Sequence, residues 1–365
     1  MDNFNYPLLF GVFAFVIGAA VGSFLNVCIY RLPRDLSVNR PRRSFCPACG
    51  AKIPWQQNIP LVSWLALRGR CASCGGKINF RYFAVELLSG LLFLAVWKTF
   101  PWPVALAYWV FVSLVVVATF VDFEHFIIPD QVTIGGVIGG VLASLAVPQL
   151  MHASSRPAAV VYSILAAALG YLALLLVLEA GKIAFGRKRI RFDAPAPFTW
   201  KRTGDDADFV VGEERSLWSE YFARESDQLV LECDHARIDD CAYEDVTLQF
   251  HYNRVRADTR TFVLDDVDEI SGSARELLIP REAMGRGDLK FLAAIGAFLG
   301  WRAVLFSIFA GSLLGSIVGL LTLLMGKRVW SAKLPFGPYL AFGALVWMFF
   351  GNEFVQWYFG LLNPR

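Results

Sequence analysis

The feature that leaves the fewest folds open is a series of apolar runs, at residues 8–30, 82–100, 103–121, 132–149, 158–181, 288–300, 303–325 and 336–352. Crossing about 30 Å of hydrocarbon takes a helix of about 20 mostly apolar residues, and most of these runs approach that length. The run at 288–300 is too short to cross alone and needs its flanks or a tilt. Composition agrees with a membrane setting. Hydrophobic residues make up 56% and charged residues 18% of the chain, the mean hydropathy is +0.49, and such values fit poorly with a soluble protein.

Basic residues orient the spans. Arg31, Arg34, Arg40, Arg42, Arg43, Lys52, Arg68, Arg70, Lys77 and Arg81 fill the loop after the first run, while the connection from Phe100 to Pro103 has no charge. Cytoplasmic loops carry the excess of Lys and Arg, so that loop is expected inside. Alternation then puts Lys182, Arg187, Lys188, Arg189 and Arg191 inside with Lys327, Arg328 and Lys333, leaving Arg156 and Arg302 in the opposite loops and both termini outside. Residues 8–30 do not read as a signal peptide, since the run is long, has no basic start and is followed by arginines. The net charge of +3 sits in particular loops and not along one amphipathic face, so nucleic acid is not an expected partner.

Two polar regions separate the runs. The first, 31–81, contains Cys46-Pro-Ala-Cys49-Gly and Cys71-Ala-Ser-Cys74-Gly, with 21 residues between the knuckles. A glycine after each second cysteine lets the chain turn back, so that four sulfurs can meet in a tetrahedron with bonds of about 2.3 Å. Cys46, Cys49, Cys71 and Cys74 are therefore expected to bind structural zinc; reduced thiols without metal are the plainer alternative. Four sulfur ligands leave no open position for water, which assigns such a metal to folding and not to hydrolysis. Cys28 reads as core packing, and Cys233 and Cys241 have no knuckle spacing. The second region, 186–284, is charged and has alternating stretches such as Val246-Thr-Leu-Gln-Phe-His-Tyr252 and Thr261-Phe-Val-Leu264. A small β-rich domain is expected there, with Pro195 and Pro197 marking a linker before it.

Two carboxylates stand where such a chain tolerates them least. Asp122 closes the run ending at Val121, and Asp288 opens another inside Gly285-Arg-Gly-Asp-Leu-Lys290, 166 positions away. An ionised group at bilayer depth costs roughly 2.5 kcal/mol or more, so it persists where it is used. The expected topology brings both to the cytoplasmic edge. Two close carboxylates sharing one proton supply the base that activates water and the acid that protonates the tetrahedral intermediate and leaving amine. Gly285 and Gly287 would let an extended substrate approach the backbone, and Asp288 at a helix start would feel amide dipoles that favour its anion. A helix cap is the plainer reading of Asp288, and a carboxylate facing headgroup water that of Asp122. Asp130 reads first as a cap, Lys290 as a snorkelling side chain near enough to tune the pair, and Glu86 as a site-lining carboxylate. An ion or proton transporter would need carboxylates spread through the depth of the bundle, and a zinc-knuckle scaffold would leave the aspartates unexplained.

Six blocks together resemble the ordered signature of the type IV prepilin leader peptidases, a family of intramembrane aspartic proteases. They are Gly22-Ser-Phe-Leu-Asn-Val-Cys-Ile-Tyr-Arg-Leu-Pro33, the paired knuckles, Arg81-Tyr-Phe-Ala-Val-Glu-Leu-Leu-Ser-Gly90, Asp122-Phe-Glu-His-Phe-Ile-Ile-Pro-Asp130, Gly285-Arg-Gly-Asp-Leu-Lys290 and Leu334-Pro-Phe-Gly-Pro-Tyr-Leu340. The resemblance covers 8–185 and 282–352. It implies a bacterial inner-membrane enzyme that removes the basic leader of type IV prepilins and type II secretion pseudopilins, with Asp122 and Asp288 as the catalytic aspartates. A prepilin keeps its basic leader inside, so its scissile bond rests at the cytoplasmic boundary. Many members then methylate the new N-terminus with S-adenosylmethionine, a site for which no glycine-rich fingerprint is visible; Gly69 and the knuckle loop are its expected place. The chain departs from the family pattern in the long stretch before Gly285, a candidate contact for pilus or secretion machinery.

The resulting expectation is an all-α polytopic membrane protein with about eight transmembrane helices, a cytoplasmic zinc-knuckle loop domain built on four cysteines and an inserted β-rich cytoplasmic domain. Its segments are 1–30 (first helix), 31–81 (knuckle domain), 82–185 (four helices and the first aspartate), 186–284 (inserted domain) and 285–365 (three helices and the second aspartate).

Overall fold

The computed structural model describes residues 8–41, 44–185, 187–203, 206–212, 214–218, 221, 228–280, 285–324 and 335–362. Arg42, Arg43, Lys327, Arg328, Lys333 and Leu334 lie outside the described residues. The chain divides into two units, Met1–Leu174 with Arg286–Arg365, and Leu175–Gly285.

Each of the eight apolar runs gives a helix. They are α1 (Leu8–Arg31), α3 (Phe80–Thr99), α4 (Val104–His125), α5 (Asp130–Ala146), α6 (Arg156–Phe185), α7 (Arg286–Leu299), α8 (Trp301–Leu324) and α9 (Gly337–Leu362); a short α2 (Val62–Ala66) lies in the cysteine loop. Among the described residues, five of them, α1, α3, α4, α6 and α8, contain segments long and apolar enough to cross a membrane. α5 ends before the Pro148 turn. At about 1.5 Å per residue, the 14-residue α7 is shorter than the hydrocarbon layer.

α7 is covered by protein along most of its length, with Leu289, Phe291, Leu292, Ile295, Ala297 and Phe298 all buried. Small residues make this burial possible, because helices in lipid associate by close backbone approach. A methyl group added at Gly140 of α5 would lie 2.6 Å from Ala297 Cβ, and one added at Gly296 of α7 would lie 2.4 Å from the Ala166 carbonyl oxygen of α6. Ser163 of α6 also donates its hydroxyl to the Ala297 carbonyl over 2.8 Å, a buried link between α6 and α7. The same device joins α1 to α3, where a methyl group on Gly22 would lie 2.8 Å from Glu86 Cα, and α8 to α9, where one on Gly343 would lie 2.9 Å from Ser307 Cα.

The second unit carries one antiparallel eight-stranded sheet in the order β3-β2-β1-β8-β4-β5-β6-β7. The strands are β1 (Arg187–Thr203), β2 (Asp206–Val211), β3 (Glu214–Leu217), β4 (Leu229–Ile238), β5 (Cys241–His251), β6 (Arg254–Ala257), β7 (Arg260–Val263) and β8 (Glu269–Pro280). Alternate residues of β2, β4, β5 and β6 are buried, as the two-residue period of a strand requires. They build a core around Phe198, Trp200, Phe209, Leu231, Leu248 and Phe250, with Cys233 inside it. Pro195 and Pro197 are part of β1 and not of a linker. Pro195 falls where its register against β8 shifts between Arg191 and Ala196; Pro197 lies just past that shift, opposite Ser273, and before the pairing with β2 begins at Phe198. A proline is tolerated at such a bulge because no ladder donor is needed there. Glu276 is buried between the guanidinium groups of Arg189 and Arg191, which pair with its carboxylate.

The close packing of α7 predicts that Gly296→Val lowers stability by about 1–3 kcal/mol, the cost of overfilling a tight contact. Gly135→Ala, where an added methyl meets nothing within 4 Å, should leave it unchanged or slightly raised. Thermal unfolding of the detergent-purified variants compares the two.

Candidate active site

The two aspartates arrive on different helices. Asp122 lies in the last turn of α4, and its carbonyl accepts the Phe126 amide over 2.9 Å. Phe126 takes the left-handed conformation, with φ of 55°, which ends the helix and turns the chain toward Ile128 and Pro129. The Asp122 carboxylate faces protein and not headgroup water: it is 5% exposed, and its Oδ2 receives the N–H of Gly337, the first residue of α9, over 2.9 Å. Asp288 is also 5% exposed and is the third residue of α7, inside the first turn and not its cap. In that turn the amide dipoles favour negative charge.

Ile128 ties the two neighbourhoods together. A methyl group on Gly287, the residue before Asp288, would lie 3.2 Å from Ile128 Cβ. One on Gly337 would lie 3.0 Å from Ile128 Cδ1 and 2.6 Å from Asp122 Oδ2. Ile128, itself buried, therefore touches both the residue bonded to Asp122 and the residue beside Asp288. Sequence reasoning passed over it because an apolar side chain in an apolar stretch carries no signal. Gly285, buried just before α7, precedes the same turn.

Asp130 and Lys290 form an ion pair, Lys290 Nζ donating to Asp130 Oδ1 at 2.5 Å. It joins the first residue of α5 to α7; the cap position of α5 is Pro129, and Asp130 stands in the first turn. Arg81 at the start of α3 pairs with Glu124 near the end of α4. Glu86 is engaged elsewhere, its Oε2 accepting the Leu61 amide over 2.7 Å, which fastens the cysteine loop to α3. Leu61 has φ of 63°, a strained value for a branched side chain that such a bond helps to hold. Arg31 is buried and donates to the carbonyls of Ser37, Val38 and Pro41, closing the start of the same loop.

In the loop the two knuckles repeat one geometry. Cys46 N–H donates to Ala51 O over 2.9 Å and Gly50 N–H to Cys46 O over 2.8 Å; Cys71 N–H donates to Gly76 O over 2.8 Å and Gly75 N–H to Cys71 O over 2.9 Å. Gly50 and Gly75 both have φ of 69°, a conformation that favours glycine. The four Sγ atoms lie within 4.8 Å of one another. Tetrahedral bonds of about 2.3 Å put sulfurs about 3.8 Å apart, so the cluster fits a metal after a small contraction. Gly69 has φ of 65°, its N–H donates to Trp64 O over 2.9 Å, and its carbonyl accepts the Ile78 amide over 2.7 Å. A methyl group there would lie 2.9 Å from Trp64 Cζ2, so the Trp64 ring fills the space beside it.

The thiols of the cluster differ in acidity. The Cys74 amide, and after it the Ser73 amide, lower Cys71 to about 6. At Cys49 the Ala51 amide pulls down, but the Cys74 sulfur, desolvation and the Cys46 sulfur outweigh it and push the thiol up to about 11. Thiolate is the alkylated form. In metal-free protein at pH 7, iodoacetamide should therefore label Cys71 well before Cys49, and the difference should shrink as pH rises. Peptide mass mapping reads the order, and labelling of Cys49 first would contradict it.

With this geometry in place, comparison with known proteins adds family. Residues 16–100 match the model described as Bacterial Peptidase A24 N-terminal domain, and residues 109–187 and 261–320 match the Type IV leader peptidase family. The second match passes over 188–260, most of the sheet. A Myxococcus xanthus protein named prepilin leader peptidase/N-methyltransferase is 45% identical over 183 residues, covering 50% of this chain and 52% of that protein. Proteins of the same name from Aeromonas hydrophila and Legionella pneumophila are 29% and 26% identical, covering 96% and 98% of this chain and 94% and 96% of their own. No solved structure matches.

Proposed function

The chain belongs to the type IV leader peptidase family, and we propose that it cleaves the basic leader from type IV prepilins and type II secretion pseudopilins, with Asp122 and Asp288 as the catalytic pair. The observation that carries this reading is the burial of Asp122 and Asp288, the two buried carboxylates among the described residues of the helical unit. Carboxylates spread along the depth of the bundle, which ion transport would need, are not what this pattern resembles. In hydrolysis one carboxylate takes a proton from water as its oxygen adds to the scissile carbonyl carbon, while the other, protonated, gives its proton to the carbonyl oxygen. Collapse of the tetrahedral intermediate breaks the C–N bond and the leaving nitrogen takes up a proton. The substrate helix must unwind at that bond, since its own hydrogen bonds close the peptide to attack. Gly285 and Gly287 would lie beside the path of such an extended segment, Gly287 packed against Ile128, and the Asp130–Lys290 pair borders the same turn of α7.

The relatives' shared name supports a second step, methylation of the new N-terminus. S-adenosylmethionine would supply the methyl group, bound in the cysteine-loop region with Gly69 shaping the turn. Cys46, Cys49, Cys71 and Cys74 would hold zinc, which supplies structure only, since four thiolates fill its coordination. The proposed setting is the bacterial inner membrane, spanned about eight times when α5, α7 and α9 are counted, with both termini periplasmic and the cysteine loop and 186–284 cytoplasmic.

Incubating detergent-purified protein with a prepilin and S-adenosylmethionine tests both activities in one mass spectrum. The parent should remove the leader and add one methyl mass. Asp122→Asn and Asp288→Asn should each lose cleavage by at least about 10³-fold, as expected when a general acid or base is removed, and retained cleavage in either rejects the assignment. For the inserted domain, the proposed role is contact with substrate or secretion machinery. Deleting 192–278 should leave cleavage of the scissile bond intact and change the preference among prepilins; an unchanged preference removes that role.

A further inference from the structure

The bond between Gly337 and Asp122 joins residues 215 positions apart and is buried. Gly337 begins α9, and the first amides of a helix have no partner within it; this one is given to a carboxylate. The position has no room for a side chain, because an added methyl would lie 2.6 Å from Asp122 Oδ2, 3.2 Å from its Cγ and 3.0 Å from Ile128 Cδ1. Its backbone is not among those with positive φ. Glycine is needed here for closeness and not for conformation. On its other side Ile128 meets Gly287, where an added methyl would lie 3.2 Å from Ile128 Cβ and 3.3 Å from its N. Gly287 leads directly into Asp288.

We infer that Gly337 is a positioning residue of the aspartate site: its main-chain N–H fixes the Asp122 carboxylate through Oδ2, and Ile128, wedged between Gly337 and Gly287, sets the spacing of the two aspartate-bearing segments. The inference rests on the protease reading and deepens it. With Oδ2 held by the amide, the proton that Asp122 gains or gives during turnover is carried on Oδ1. The two carboxylates come from segments far apart in the chain, so their alignment depends on this three-residue seam and not on either helix alone.

Prepilin cleavage by the detergent-purified full chain tests it. Gly337→Ala should lower kcat on the order of 100-fold, the size of effect that misplacing a catalytic group by about 1 Å produces, with KM unchanged. A general packing fault would behave differently. Ile128→Val removes Cδ1, the atom that crowds the new methyl, so Gly337→Ala with Ile128→Val should regain thermal stability and stay as slow as Gly337→Ala. Ile128→Ala alone, which removes the wedge and leaves the glycine, should lower kcat about tenfold and serves if the alanine at 337 does not fold. Parent-like kcat in Gly337→Ala or in Ile128→Ala, recovery of kcat on adding Ile128→Val, or a rise in KM in place of a fall in kcat would overturn the inference. Asp122→Asn run alongside separates the two readings. If it cleaves like the parent the protease reading fails, whereas an inactive Asp122→Asn beside a fully active Gly337→Ala sinks only the positioning role.

Discussion

A carboxylate inside an apolar helix bundle has lost its water and must be answered by donors from the protein, and at Asp122 the answer is the Gly337 amide. That requirement organises the helical unit. It demands that a helix begin where α4 ends, that the first residue of this helix carry no side chain, and that the turn after Asp122 be short and fixed. Phe126, in its left-handed conformation, and buried Ile128 meet the last demand. An unpaired buried charge would cost several kcal/mol, so the arrangement is also a condition of folding. The same contacts that make the carboxylate tolerable give it one orientation.

The cysteine loop follows a second, separate logic. Its sulfurs are brought together by two hairpin knuckles with matching amide bonds, while its attachment to the spans runs through the Glu86 carboxylate and the buried Arg31 guanidinium, each taking backbone groups of the loop as partners. Glu86, a half-buried carboxylate, therefore finds a main-chain N–H to accept in this structure, but that N–H belongs to the loop. A charge inside a span marks a polar partner; it does not by itself say whether the partner is substrate or backbone.

Much of the fold was legible in the sequence because hydrocarbon is a severe solvent. Each apolar run became a helix, and the knuckle cysteines met as their spacing implied. The stretches around Val246 and Thr261 fell in β5 and β7. Other features were hidden for identifiable reasons. Prolines at 195 and 197 read as a linker, since the tolerance of Pro195 depends on a bulge that only the partner strand β8 creates, and Pro197 stands just beyond it, before β2 joins the sheet. The seam of Ile128, Gly287 and Gly337 was invisible, because its information lies in close approach between segments and not in any local pattern. Gly337-Pro338 stood inside a recognisable block, yet nothing in the residues said that its amide would be spent on Asp122.

The central claim is that the segments bearing Asp122 and Asp288 meet at one site, and the most direct measurement is a cross-link. In a chain carrying Asp122→Cys and Asp288→Cys, mild oxidation followed by peptide mass mapping should find the two positions joined by a disulfide. Ile128→Cys with Gly287→Cys serves as the positive control, since their side-chain carbons would stand about as close as disulfide geometry requires. A control that links while positions 122 and 288 never do would contradict the account.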